Sequence, residues 1–126
     1  MGYDDEKDAM SFHIKLLSRL VDVNHYPLVK LVIEKNMTKG EYSELFCLLQ
    51  TLEEKYEIQK EEGFLDYTSL IVHFAGMLNE KLDPNETIYA LEQEGYFPHL
   101  IKEFIKIIKQ DNVTDEILSR YIRKKD

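Results

Sequence analysis

Residues 38–63, TKGEYSELFCLLQTLEEKYEIQKEEG, decide the fold class. Tyr42, Leu45, Phe46, Leu49, Leu52 and Tyr56 recur at three- and four-residue intervals, the spacing of one helix face, and no breaker intervenes before Gly63. Thr38 and Glu41 form a capping box, in which each side chain accepts a hydrogen bond from an orphan amide at the helix start. The stretch predicts a helix roughly 35 Å long at 1.5 Å per residue.

The same kind of punctuation extends on both sides. Met10, Ile14, Leu17 and Val21, widened by Leu16, Leu20 and Val23, predict a first helix ending near Asn24. The acidic residues before it, Asp4, Asp5, Glu6 and Asp8, read either as a frayed tail over 1–8 or as a first turn that complements the helix dipole. Tyr26-Pro27 opens a second helix to about Lys35, with Leu28, Leu31 and Val32 inward and Asn36 as its C-cap. Beyond the long helix, Asp66 is expected to cap a fourth, carrying Leu70, Ile71, Phe74, Ala75 and Leu78 on one side. Asp83-Pro84 with Glu86 starts a fifth that Gly95 ends, and Pro98 opens a sixth with Leu100, Ile101, Phe104, Ile105 and Ile108 as its buried face. Thr114 is expected to cap a seventh, a carboxyl-terminal helical extension over 112–126.

No alternating run is long enough for a sheet, so the expectation is one all-α domain over 1–126, a compact multi-helix bundle of six to seven short helices. The net charge of −8 favours solubility and disfavours nucleic acid and anionic lipid as partners. The single Cys47 precludes an internal disulfide, the amino terminus lacks signal-peptide character, and no apolar run approaches the roughly 20 residues of a membrane span. Cytoplasmic localisation follows as an expectation.

His25-Tyr26-Pro27, the helix start from Thr38 to Tyr42, and the run FAGMLNEKLD at 74–83 followed by Glu86-Thr87-Ile88 resemble the YhaI-like family of bacterial proteins. That similarity covers roughly residues 12–110. It implies a cytosolic all-helical protein and supplies no activity, because the family is uncharacterised.

Four carboxylates carry the enzymatic alternative. Glu54-x-x-Glu57 and Glu80-x-x-Asp83 resemble the magnesium-binding signature of MazG-like nucleotide pyrophosphohydrolases, in which carboxylates from two helices hold the ion against a triphosphate. Antiparallel packing of the third and fourth helices would leave the two pairs roughly 20 Å apart. Asp83 is also explained as a cap. The histidines, His13, His25, His73 and His99, give no i, i+4 ligand pair, and Cys47, between Phe46 and Leu48, is expected to pack as a small buried hydrophobe. His73 is expected at the edge of an apolar face, and Gly76, costly inside a helix, marks a close crossing of another backbone.

Lys102, Lys106 and Lys109, with Arg120, Arg123, Lys124 and Lys125, give the carboxyl-terminal helices a basic character that suits a nucleic-acid-linked regulator. No Gly-rich phosphate loop or aromatic-basic interleaving accompanies them. The leading expectation is a non-enzymatic interaction module without catalytic residues, metal or cofactor, which binds itself or another cytosolic protein. Tyr3, Ile58, Tyr89, Tyr96 and Phe97 are its expected uncovered residues.

Overall fold

The computed structural model describes residues 3–110. Six α-helices follow one another: α1 Tyr3–Leu20, α2 Pro27–Glu34, α3 Lys39–Glu61, α4 Thr68–Met77, α5 Pro84–Glu94 and α6 Pro98–Gln110, with a 3-10 turn at Val23–His25 between α1 and α2. There is no strand among the described residues, and the fold is all-α. The expected seventh helix and its Thr114 cap lie outside them.

α3 is the axis. Its Leu45, Leu49, Leu52 and Tyr56 are buried, and α4 folds back along it in antiparallel fashion. Three contacts fix that direction: Tyr56 meets Tyr67 near the turn, Lys55 meets His73 further along, and Glu41 meets Asn79 at the far end. α6 lies against both, with the Phe74 and Phe104 rings 5.7 Å apart in the centre of the core. α5 packs between α6 and α2, and Leu28 and Leu31 dock α2 onto this body. α1 is not among the helix pairs that pack extensively.

Helix ends are set by three repeats of one device. Asn36, Gly63 and Gly95 adopt left-handed backbone conformations, with φ of 54°, 85° and 79°. Each is followed by an amide that reaches back five residues: Met37 to Val32, Phe64 to Gln59, and Tyr96 to Leu91. These are Schellman closures, which satisfy the last carbonyls of a helix. Asn36 therefore sits one position beyond the cap residue, Lys35, rather than at it.

The capping box at Thr38 forms with both its halves, and the Asp83 carboxylate accepts from the Glu86 amide at 2.9 Å. At α4 the expectation is displaced by one residue. Tyr67 occupies the cap position, and Asp66 accepts from the Thr68 amide at 2.9 Å and the Thr68 hydroxyl at 2.5 Å. The acidic residues follow the second of their two readings and belong to the first turns of α1, while the expected end near Asn24 is corrected: the helix ends at Leu20, because the chain tightens into the 3-10 turn that leads to Pro27.

Gly76 is buried with its neighbour Ala75 at the end of α4, where the helix packs against α3 and α6. Cys47, in contrast, is exposed. On a helix it lies about 200° around the axis from Leu45, so the residues that bury α3 turn Cys47 outward whatever its sequence neighbours are.

Candidate functional site

The chemistry-bearing residues do not converge. Glu54 and Glu57 are exposed on the second half of α3, while Glu80 and Asp83 are exposed beyond the end of α4. The segment holding Glu80 and Asp83 is pinned to Glu41, and from Glu41 to Glu54 the α3 axis rises roughly 20 Å. No group of three or more metal-ligating side chains occurs among the described residues. Half-buried His73 lies 3.4 Å from Lys55 Nζ, and burial first, then the ammonium, pushes its imidazole below the usual histidine range.

The polar residues of the run 79–83 have a structural task that spacing did not reveal. Lys81 Nζ donates to Glu41 Oε1 at 2.7 Å and to the Asn36 carbonyl at 3.1 Å, and Asn79 Nδ2 donates to Glu41 Oε2 at 3.0 Å. Glu41 accepts from the Thr38 amide as well. The Lys81 ammonium, with the Thr38 amide, holds its carboxyl at about 2. One carboxylate thus joins the α2–α3 and α4–α5 connections.

A second long-range cap fixes α2. Its N-cap residue, Tyr26, makes no side-chain cap, and Pro27 has no amide to satisfy. Glu94, at the end of α5, supplies the missing acceptor: its Oε2 receives the Leu28 amide at 2.5 Å, and its negative charge complements the helix amino terminus.

The feature without a structural explanation is apolar. α2 buries Leu28 and Leu31 toward α5 and leaves Val29 and Ile33 exposed on its other side. α1 lies beyond them, and its Ile14, Leu17 and Ser18, with Val21 just after it and Tyr26, Val29 and Ile33, line a groove of about 390 Å³. Met10, Phe12, Leu16 and Leu20 are exposed too, Met10 by 64% and Leu20 by 82%. A single exposed leucine is ordinary, whereas between residues 10 and 33 ten large apolar side chains are exposed.

The expected uncovered residues lie mostly elsewhere in the fold. Ile58 is exposed, but Tyr89, Tyr96 and Phe97 pack against the core. Phe46 stands 5.0 Å from Tyr96 and 6.2 Å from Phe97, so the aromatic side chains around the α5–α6 turn are spent on α3. Lys102, Lys106 and Lys109 are exposed on α6, with Lys106 3.5 Å from Glu103. Arg120, Arg123, Lys124 and Lys125 lie outside the described residues.

No helix among the described residues is long and apolar enough to cross a membrane. The chain is 29% identical over 134 aligned positions to an uncharacterized Bro-N domain-containing protein L2 of Acanthamoeba polyphaga mimivirus. That match takes in 100% of this chain and 47% of the viral protein, so the chain spans about half the length of this curated relative. Residues 2–109, nearly its whole length, match the family described as "Protein of unknown function (DUF1878)", and the chain belongs to that family.

Proposed function

We propose that the chain is a non-enzymatic interaction module of the cytoplasm, which receives an amphipathic helix of a protein partner on the outer face of α1 and α2. One observation carries this reading: the apolar side chains of α1 and of the outer side of α2 are exposed together, while α3 to α6 enclose a closed core. Helix-in-groove recognition uses apolar anchors at three- and four-residue spacing, and Ile14, Leu17 and Val21 present that spacing beside Val29 and Ile33. The acidic balance disfavours nucleic acid and anionic lipid as occupants.

A photo-crosslinking residue at position 29, compared with one at Leu65, tests the reading, since Val29 lines the groove and Leu65 is 98% exposed between α3 and α4. Adducts from position 29 that map by mass spectrometry to one helical segment, and disappear with Leu17→Glu, are the expected result. Adducts from position 29 no more frequent than those from position 65, in pure protein and in the expressing cell alike, would overturn it.

A further inference from the structure

α1 is apolar on two sides. At about 100° per residue, the groove residues Ile14 and Leu17 occupy one side, and Ala9, Phe12, Leu16 and Leu20 form a second seam turned well away from them. All four residues of that second seam are exposed. A helix that lines a groove with one side and presents an apolar seam with the other has a seam free to take a second helix.

The charges beside this seam state which helix completes it. Asp5 and Asp8 lie toward the amino end of α1, and Lys15 and Arg19 toward its carboxyl end. None of the four makes an ion pair within the described residues. We infer that the occupant is α1 of a second copy of this chain, paired antiparallel about a two-fold axis near Phe12. This rests on the reading of α1 as an interaction helix and supplies an occupant for the side that the groove does not use.

An antiparallel pair sets Asp5 and Asp8 of one copy beside Arg19 and Lys15 of the other, and symmetry repeats the match. A parallel pair sets acid against acid and base against base, which opposes association. A lipid surface gains the apolar contact but leaves the acidic end of α1 without a complement. From Ala9 to Leu20 the seam is roughly 17 Å long, so it covers less than the roughly 800 Å² per partner of a standard interface. The dimer is therefore reversible, and its population rises with protein concentration.

Sedimentation velocity over a wide concentration range, on the full chain, is the direct test. The expected result is a monomer–dimer equilibrium that shifts to monomer by at least tenfold in Kd with Leu16→Glu/Leu20→Glu, with the helical circular dichroism unchanged. Orientation is read in a Cys47→Ser background: chains carrying Asp8→Cys and Lys15→Cys should form a mixed disulfide far faster than either forms with itself. A wild-type monomer at every concentration, a dimer indifferent to Leu16→Glu/Leu20→Glu, or homodisulfides outpacing the mixed one would overturn self-pairing. So would a monomer that instead co-sediments with phosphatidylcholine vesicles. If the protein is monomeric yet position 29 crosslinks to a helix of another protein, self-pairing falls and the docking reading stands; with neither, both fall.

Discussion

α1 and α4 are both helices rich in apolar residues, and the structure treats them in opposite ways. α4 inserts Leu70, Ile71, Phe74 and Ala75 between α3 and α6, and Phe74 is fully buried. α1 is nearly twice as long, yet its Met10, Phe12 and Leu20 remain more than half exposed. The difference is a matter of what surrounds each helix. α4 has a neighbour on either flank because a tight turn returns it along α3, whereas α1 lies outside α2, a short helix already committed to α5 on its inner side. Apolar content decides that a helix will seek cover; topology decides whether its own chain provides it.

The sharpest way to break this contrast is truncation of one residue from each side. Phe74→Ala empties a fully buried site against Phe104 and should cost about 3–5 kcal/mol in urea unfolding, whereas Leu20→Ala should change stability by no more than about 0.5 kcal/mol. Equal losses would mean that α1 belongs to the core. Gly76→Leu forces a side chain into the buried end of α4 and should lower stability by about 1–3 kcal/mol, read as a drop in melting temperature. An unchanged melting temperature would refute a close crossing there.

Smaller effects concern the long-range caps. Glu94→Ala removes the acceptor of the Leu28 amide and should cost about 1 kcal/mol, with faster amide exchange at the start of α2 than at the start of α4. The Glu41 carboxyl is held at about 2 from an ordinary 4.5, so its contribution is complete above the unfolded value and disappears as pH falls from about 4.5 to about 2. In Glu41→Gln, that part of the acid-induced loss should be missing, as judged by urea midpoints across the interval. Least of all should be the effect of alkylating Cys47: the exposed thiol should react with a maleimide in the native state without altering the unfolding transition.

Much of this fold was legible because its punctuation is local. The Thr38–Glu41 box, the Asp83-Pro84 start and the glycine stops at 63 and 95 each work within a few residues, and the helices from α2 to α6 follow from them. α1 was read less well, since no glycine or asparagine closure marks Leu20 and its apolar stripe runs on through Val21 to Val23. Burial was legible only where helical geometry was applied to each position. Cys47 inherits its exposure from the inward aim of Leu45 and Leu49, which its neighbours Phe46 and Leu48 disguise. Exposure was misjudged at the α5–α6 turn for a different reason: Tyr96 and Phe97 find cover on Phe46, about 50 residues away in sequence, and the periodicity of one helix does not record the helix packed against it.

The Glu94 contact also carries a consequence for the order of assembly during synthesis. The start of α2 takes its acceptor from a side chain 66 residues downstream of the amide it caps, and the apolar bed for Leu28 and Leu31 is likewise made with α5. A nascent chain released only as far as α4 holds α2 without its cap or its bed, so the amino-terminal third should consolidate after α5 leaves the ribosome. Long-range closure of this kind slows folding relative to a bundle that assembles in sequence order. Until it closes, Leu28 and Leu31 stand exposed as well, added to the side chains of α1 and α2 that remain uncovered in the finished fold.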